Sequence, residues 1–232
     1  MKKVSLVIGA STGIGLEITR VLEERGHIVI ILSRRPELFS KFTAYRFDLS
    51  SEEGADEVLR STFSKHEDIA SIFLVSGTGD IEDDLDCRNA LHTIDVNCRG
   101  FTQAVYHGVR HLEARGDGHL IAVTSVAAIR GGSRSMSYNA SKAFQRSLLE
   151  GIRGRITGLR LPVTITEVRA GFVDTAMMKA DKPFWVASQR QAANAIVDCV
   201  SSNRELIYVL GRWRLIGWLL TALPIWIQKR MG

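Results

Sequence analysis

The feature that most constrains the fold is an alternation of short apolar runs with longer segments of helical periodicity. The runs of strand length cover residues 4–8, 28–32, 44–47, 69–75, 120–124 and 163–168. The helical segments cover residues 14–25, 52–65, 88–114, 138–155 and 189–202. Strands that are apolar throughout are buried on both faces, which requires helices on each side of a parallel sheet. The sequence therefore predicts an α/β fold with a doubly wound parallel sheet.

Length and charge favour one globular domain. The chain of 232 residues, 45% hydrophobic and 24% charged, has the composition of a soluble globular protein and can bury a sizeable core. We interpret residues 1–232 as one domain, with residues 204–232 as its apolar and basic C-terminal segment. That segment carries most of the net charge of +5, so the main body is nearly neutral. A nucleic-acid-binding face is therefore not expected.

The cysteines and the N-terminus indicate a cytoplasmic protein. Cys87, Cys98 and Cys199 are far apart and form no CxxC pair, which favours a reducing compartment and predicts no metal site. Lys2 and Lys3 precede a short apolar run, as at the start of a signal peptide. That run leads directly into a glycine-rich segment, so secretion is not expected.

A glycine-rich turn links the first apolar run to the first helical segment. Its sequence is Gly9-Ala10-Ser11-Thr12-Gly13-Ile14-Gly15, which differs in spacing from GxGxxG. Glycines allow a tight turn and close approach of the backbone to a pyrophosphate, and the helix N-terminus supplies N–H donors. The alternative is a purely structural turn. Its position between a strand and a helix favours dinucleotide binding.

The second apolar run indicates which dinucleotide is bound. It ends in Ser33-Arg34-Arg35, where an acidic residue would bind the adenosine ribose of NAD. Guanidinium groups form charge-assisted bonds with phosphate, so the 2′-phosphate of NADP is the better match and NAD is disfavoured. The alternative is a solvated turn before Pro36.

A tyrosine and a lysine predict acid–base chemistry. Tyr138 and Lys142 are four residues apart and therefore share one helix face. A nearby ammonium favours the phenolate, so we expect a lowered tyrosine pKa, as a proton donor and acceptor for a carbonyl/alcohol pair requires. Ser125 ends an apolar run and would lie at the ligand-binding edge of the sheet, where its hydroxyl can polarise a carbonyl. Alone, such a Tyr–Lys pair is usually only a surface pair.

The motifs from Gly9 to Thr175, in their order along the chain, resemble those of the short-chain dehydrogenase/reductase family. The resemblance implies a Rossmann-type sheet of about seven strands and hydride transfer between a nicotinamide cofactor and a carbonyl or secondary alcohol. It implies that Tyr138 is the general acid/base and that Lys142 lowers its pKa and binds the nicotinamide ribose. Ser125 would hold the substrate oxygen.

The resemblance also implies roles for residues that the motif spacing alone does not identify. Asn97 would position a water in the proton relay, and Asp48 would meet the adenine. Alternatively, Asn97 is a packed polar group and Asp48 caps the next helix. The implied cofactor contacts are Gly9, Ser11, Thr12, Gly13, Ile14, Gly15, Ser33, Arg34, Asp48, Leu49, Ser76, Gly77, Tyr138, Lys142, Gly171, Val173 and Thr175.

Two positions depart from the family pattern. Val75 replaces the usual asparagine after the fourth strand, which removes a side-chain hydrogen bond but leaves backbone contacts from Ser76 and Gly77 available. The usual Pro-Gly after the sixth strand is Ala170-Gly171, so the loop loses the stiffness of proline. Neither change removes a proton-transfer group.

Two loops bear on the substrate. Met177, Met178, Phe184 and Trp185 follow the sixth strand and predict a mainly apolar carbonyl substrate, unless they only pack that loop onto the body. The acidic residues 80–84 are interpreted as a solvated loop.

The C-terminal segment contains an apolar run over residues 215–227, flanked by basic residues and interrupted by Pro224. The run is shorter than the roughly 20 residues that a bilayer requires. We expect a helix that covers the body or a partner subunit of a homodimer or homotetramer, and consider an interfacial membrane helix the alternative. Two other functions remain open: a cofactor-sensing NADP-binding regulator and a membrane-associated scaffold.

Overall fold

The computed structural model describes residues 3–180 and 182–224, and within them seven parallel strands form one sheet. The strands are β1 (Val4–Ile8), β2 (Ile28–Ser33), β3 (Thr43–Arg46), β4 (Ile69–Leu74), β5 (Gly118–Ser125), β6 (Val163–Ala170) and β7 (Leu206–Tyr208). Their order is β3-β2-β1-β4-β5-β6-β7. The chain runs from β1 outward to β3 and then crosses back to β4 on the other side of β1, which opens a crevice at the carboxyl ends of β1 and β4.

Helices cover both faces of this sheet. They are α1 (Gly13–Glu24), α2 (Glu52–Lys65), α3 (Cys87–Ile94), α4 (Phe101–Arg115), α5 (Met136–Leu159), α6 (Gln189–Asp198) and α7 (Trp213–Ala222). Leu6 of β1 packs with Leu59 of α2 and Leu149 of α5 in one buried cluster. Its neighbour Val7 points to the other face and packs in the cluster that contains Ile18 of α1. The predicted doubly wound α/β fold is confirmed.

The helical segment predicted over residues 88–114 is continuous but not uniform. A π-helical turn, Asp95–Gly100, joins α3 to α4. Such wider turns commonly occur at functional sites, because they displace side chains from the regular helical positions. Asn97 lies in this turn and is fully buried.

Strand β7 is not among the six strands predicted from the sequence. It has only three residues and pairs with β6 at one edge of the sheet. Leu206 is exposed, and Ile207 and Tyr208 are half-buried. The sequence signal is present, since residues 206–210 are continuously apolar, but these residues were interpreted as part of the C-terminal segment and not as a strand.

Helix α7 forms the described part of the apolar C-terminal run. It ends at Ala222, and the next residue, Leu223, has an extended backbone ψ of 130°. This conformation is expected before Pro224, because the proline ring disfavours the helical conformation of the preceding residue. The rest of the predicted run, residues 225–227, lies outside the described residues. Across residues 3–180 and 182–224, the structure has no helix with the length and apolarity to cross a bilayer.

Candidate active site

The loops at the carboxyl ends of the strands enclose a cleft of about 830 Å³. Three of the four predicted catalytic residues, Ser125, Tyr138 and Lys142, line it. The cleft is also lined by every predicted cofactor contact: Gly9, Ser11, Thr12, Gly13, Ile14, Gly15, Ser33, Arg34, Asp48, Leu49, Ser76, Gly77, Gly171, Val173 and Thr175, besides Tyr138 and Lys142. Asn97 lies behind the wall of the cleft.

The glycine-rich turn has a geometry that larger residues would disrupt. Gly9 has a φ of +98°, and a Cβ on Gly15 would lie 2.1 Å from the Gly9 carbonyl oxygen. Gly13 has a φ of +60° and faces the side chain of Thr175 across the cleft. Thr12, the N-cap of α1, makes no side-chain capping bond. The N–H groups at the start of α1 can therefore bind an anion in the cleft.

The adenosine end of the predicted cofactor site combines hydroxyl and guanidinium groups. The Ser11 and Ser33 hydroxyl oxygens are 2.7 Å apart. The Arg35 guanidinium donates to the Ser11 carbonyl oxygen over 3.3 Å, and Arg34 lines the cleft. This donor set fits a phosphate on the ribose, because two guanidinium groups and two hydroxyl groups can donate to the phosphate oxygens, although the Asp48 carboxylate also lies at this end of the cleft.

Asp48 begins a turn at the same end of the cleft. Its carboxylate accepts from the Ser50 N–H over 2.9 Å and from the Ser50 hydroxyl over 2.8 Å. Burial raises the pKa of Asp48, but these hydrogen bonds and the charge of Arg34 outweigh it and leave the pKa below its usual value. The predicted alternative, a helix cap, is not observed, since Ser51 is the N-cap of α2.

The two hydroxyl groups of the predicted catalytic set meet in the cleft. Ser125 is the last residue of β5, and its hydroxyl lies close enough to that of Tyr138, near the start of α5, to influence the pKa of the tyrosine. The Ser125 hydroxyl also donates to the Ala170 carbonyl oxygen over 3.3 Å and accepts from the Ala127 N–H over 3.1 Å. These contacts fix its position on the sheet edge.

Burial controls the ionisation of both Tyr138 and Lys142. It raises the pKa of Tyr138, and the nearby Ser125 hydroxyl only partly opposes this effect. Burial lowers the pKa of Lys142 to about 8. The ammonium lies 5.7 Å from the centre of the Tyr138 ring. The expected lowering of the tyrosine pKa is therefore wrong for this arrangement, because desolvation of the phenolate dominates.

Lys142 is held by neutral oxygen atoms. Its Nζ donates to the Gln145 side-chain Oε1 over 2.9 Å and to the Val123 carbonyl oxygen over 3.3 Å. A Cβ on Gly77 would lie 3.3 Å from this Nζ. The absence of a side chain at Gly77 therefore leaves space in front of the ammonium.

Asn97 holds the loop that follows β4. Its Nδ2 donates to the Thr78 carbonyl oxygen over 2.6 Å, and its Oδ1 accepts from the Thr78 N–H over 2.9 Å. Its Nδ2 also donates to the Ser141 hydroxyl over 3.0 Å. The side chain thus connects the π-helical turn, the Thr78 loop and α5.

Comparison with known proteins assigns the chain to a family. Residues 3–184 match the family model described as short chain dehydrogenase. The chain belongs to the short-chain dehydrogenase family. "Short-chain dehydrogenase reductase 4" from Arabidopsis thaliana is 31% identical over 172 residues, which are 68% of this chain and 56% of that protein. The match therefore spans little more than half of this plant relative.

Solved structures show the same fold. A short chain dehydrogenase from Burkholderia cenocepacia in complex with NADP aligns with a TM-score of 0.85 and 23% identity over 99% of this chain and 97% of that one. A short chain dehydrogenase/reductase from Burkholderia phymatum in complex with NAD gives 0.77 and 16% identity over 94% and 92%. The first of these two proteins was solved with NADP and the second with NAD.

The acidic loop of this short-chain dehydrogenase contains a buried residue. Glu82 is only 6% exposed and accepts hydrogen bonds from the N–H and the hydroxyl of Ser137, near the start of α5. The prediction of a solvated loop is therefore wrong for Glu82, although Asp80, Asp83 and Asp84 are exposed. No local sequence pattern indicates this contact, because its partners are 55 residues apart.

An aromatic cluster closes the substrate side of the dehydrogenase. The Trp213 ring lies 5.0 Å from Phe184 and 5.4 Å from Phe172, measured between ring centres. Phe184, Met177 and Met178 line the cleft as predicted, whereas Trp185 packs against Trp213 outside its lining. A Cβ on Gly171 would lie 2.1 Å from the Trp213 indole.

Helix α7 contributes to the same wall. Ile216 and Leu220 line the cleft, so the inner face of α7 covers its own domain. The opposite face is also apolar, since Leu215, Trp218 and Leu219 are exposed. Sequence reasoning missed Ile216, Leu220 and Trp213 as cleft residues, because the apolar run showed no difference between the two faces. Among the described residues, no group of side chains could hold a metal ion.

Proposed function

We propose that this short-chain dehydrogenase transfers a hydride between NADP(H) and a mainly apolar carbonyl or secondary alcohol. One observation carries the proposal: the Ser125 and Tyr138 side chains face each other, with Lys142 nearby, in the cleft that the glycine-rich turn also lines. A binding protein that only sensed the cofactor would not require this pair. That observation therefore favours an enzyme over a cofactor-sensing regulator or a membrane scaffold.

The proton-transfer residues suit carbonyl reduction. Bound NADPH supplies the hydride. Tyr138 donates a proton to the carbonyl oxygen, and its raised pKa keeps the phenol protonated at neutral pH. Ser125 donates a hydrogen bond to the same oxygen and polarises the carbonyl. Lys142 stabilises the phenolate after proton transfer and binds the nicotinamide ribose through its ammonium.

The other roles follow the order of the residues along the cleft. The turn from Gly9 to Gly15 holds the pyrophosphate, and Asp48 and Leu49 contact the adenine. Ser76 and Gly77 contact the ribose through their backbone. Gly171, Val173 and Thr175 contact the nicotinamide end. Asn97 supports the proton relay by positioning a water.

The preference for NADP rests on charge. Arg34 and Ser33 border the site where the adenosine ribose binds, and Arg35 is anchored to the Ser11 carbonyl. These groups favour a 2′-phosphate, and the NADP complex of the Burkholderia cenocepacia protein is consistent with this choice. We propose NAD only as the weaker cofactor.

The apolar wall of the cleft supports an apolar substrate. Met177, Met178, Phe184 and Trp213 contribute adaptable or aromatic surface beside the polar pair of hydroxyl groups. We further propose a cytoplasmic homodimer or homotetramer. Peripheral membrane contact through the outer face of α7 is not favoured.

A substrate screen tests the proposal. Ketones and aldehydes of increasing apolar size are incubated with NADPH or NADH, and the loss of reduced-nicotinamide absorbance is followed. We expect turnover of apolar carbonyl compounds with NADPH that is lost in Tyr138→Phe. Tight NADPH binding without turnover of any compound, unchanged by that substitution, would favour the cofactor-sensing regulator.

A further inference from the structure

Gln145 lies on α5 three residues after Lys142, and its side chain is fully buried. Its Oε1 accepts from Lys142 Nζ over 2.9 Å, and its Nε2 donates to the main-chain carbonyl oxygen of Asn97 over 2.9 Å. The amide orientation is fixed by chemistry, because an ammonium can only donate and a carbonyl can only accept. Both ends of the amide are therefore used at the site of proton transfer.

The contact connects three elements around the ammonium. Lys142 and Gln145 belong to α5, Asn97 belongs to the π-helical turn, and Val123 on β5 accepts the second bond from Nζ. The Asn97 side chain is already engaged with Thr78 and Ser141. Gln145 therefore uses the main chain of Asn97 as a fixed support for Lys142.

Gln145 is uncharged, and this neutrality is as informative as its geometry. Within the described part of the chain, Lys142 forms no ion pair, and both protein acceptors of its Nζ are neutral. A buried carboxylate at the same place would compensate the positive charge. A carboxamide orients the ammonium without compensating its charge. The positive charge of Lys142 can therefore still act on the Tyr138 phenolate and on the cofactor ribose.

We propose that Gln145 is a positioning residue for the proton-transfer site, which holds the Lys142 ammonium toward the cleft and keeps its charge uncompensated. This inference rests on the proposed function for the role of Lys142 in turnover. The hydrogen bonds themselves do not depend on the identity of the substrate or of the cofactor.

The ionisation of Lys142 can be measured directly in the cofactor-free protein. The chain has eight lysines, so ¹³C labelling at lysine Cε gives a small set of NMR signals. The Lys142 signal is assigned by its loss in Lys142→Arg. Titrations are then compared for the wild type, Gln145→Glu, Gln145→Leu and Gln145→Met, with circular dichroism as the check on folding.

The proposal predicts shifts of opposite sign. Gln145→Leu and Gln145→Met remove an acceptor, so the pKa of Lys142 should fall by about one to two units, the range for a hydrogen bond to a charged group. Gln145→Glu introduces a negative charge and should raise this pKa. Turnover found in the substrate screen should fall in all three variants, with the main effect on kcat.

Gln103→Leu on α4 is the control, because it removes a helix glutamine whose one side-chain hydrogen bond among the described residues goes to the Glu52 carbonyl oxygen. It should leave the Lys142 titration unchanged. A folded Gln145→Met or Gln145→Glu variant with an unaltered Lys142 pKa would overturn the proposal and leave Gln145 as a packing residue. If the pKa shifts as expected but no carbonyl compound is reduced, the proposed function fails and the positioning of Lys142 does not.

Discussion

The Arg130 guanidinium donates a 2.9 Å hydrogen bond to the carbonyl oxygen of Leu220, at the C-terminal end of α7. It also donates to the carbonyl oxygens of Thr221 and Leu223, at 3.1 and 3.3 Å. A cation at this end of a helix satisfies carbonyl groups that have no partner within the helix. The loop that follows Ser125 thus holds the helix that covers the substrate side.

Arg130→Ala should loosen this attachment. The loss of hydrogen bonds from a charged donor is expected to cost about 1.5 to 3 kcal/mol of unfolding free energy. KM for an apolar substrate should rise several-fold with little change in kcat, because the wall binds substrate and transition state alike. Thermal unfolding and steady-state kinetics measure both effects. Arg146→Ala, which removes an exposed pair with Glu150, is the control, and equal effects in the two variants would contradict this role for Arg130.

Tyr138→Phe should remove catalysis and preserve cofactor binding. The ring remains in place, but the transferable proton is lost, which should reduce kcat about 10²- to 10⁴-fold. Single-turnover kinetics and NADPH titration separate the two properties. Tyr106→Phe, at an exposed tyrosine of α4, should behave like the wild type. Near-normal turnover in Tyr138→Phe would remove Tyr138 from the mechanism.

Arg34→Ala should weaken NADPH selectively. The loss of a bond to the 2′-phosphate should cost about 1.5 to 3 kcal/mol of binding free energy, while the affinity for NADH should change little. Fluorescence titration with both cofactors measures the difference. Arg60→Ala on α2 removes an exposed pair with Asp56 and serves as the control. An equal loss of NADPH and NADH affinity would show that Arg34 does not recognise the phosphate.

The pH dependence of carbonyl reduction should follow Lys142. Burial raises the pKa of Tyr138, so the phenol stays protonated, whereas the pKa of Lys142 is lowered to about 8. Lys142 carries its charge below this value, so kcat/KM should be constant there and fall as the pH rises through about 8. Lys142→Arg, whose guanidinium stays protonated, should move the fall of any residual activity to higher pH. A wild-type profile that stays level to pH 10 would contradict this assignment.

Truncation after Gly211 should expose the cleft and the apolar surface beneath α7. We expect lower solubility or a smaller oligomer, and no binding of either form to anionic vesicles, because the inner face of α7 packs on its own domain. Light scattering and vesicle co-sedimentation at low and high salt measure these properties. Tail-dependent, salt-sensitive sedimentation of folded protein would instead support membrane docking through Leu215, Trp218 and Leu219.

The sequence alone determined the elements that depend on local patterns. The apolar runs predicted six of the seven strands, because the strands inside the sheet are buried on both faces and require continuous apolarity. The glycine-rich turn was recognisable because close backbone contacts at Gly9 and Gly15 tolerate few other residues. The spacing of Tyr138 and Lys142 placed them on one helix face, since residues four positions apart are neighbours on the surface of a helix.

Only the tertiary structure decided the contacts between distant segments and their electrostatic effects. Glu82 at Ser137, Arg130 at α7 and Gln145 at Asn97 involve residues 48 to 93 positions apart, which carry no common local pattern. The direction of the Tyr138 pKa shift was also not predictable, because burial opposes the effect of a nearby charge. The degree of desolvation depends on how the surrounding loops pack, and spacing along the chain does not specify it.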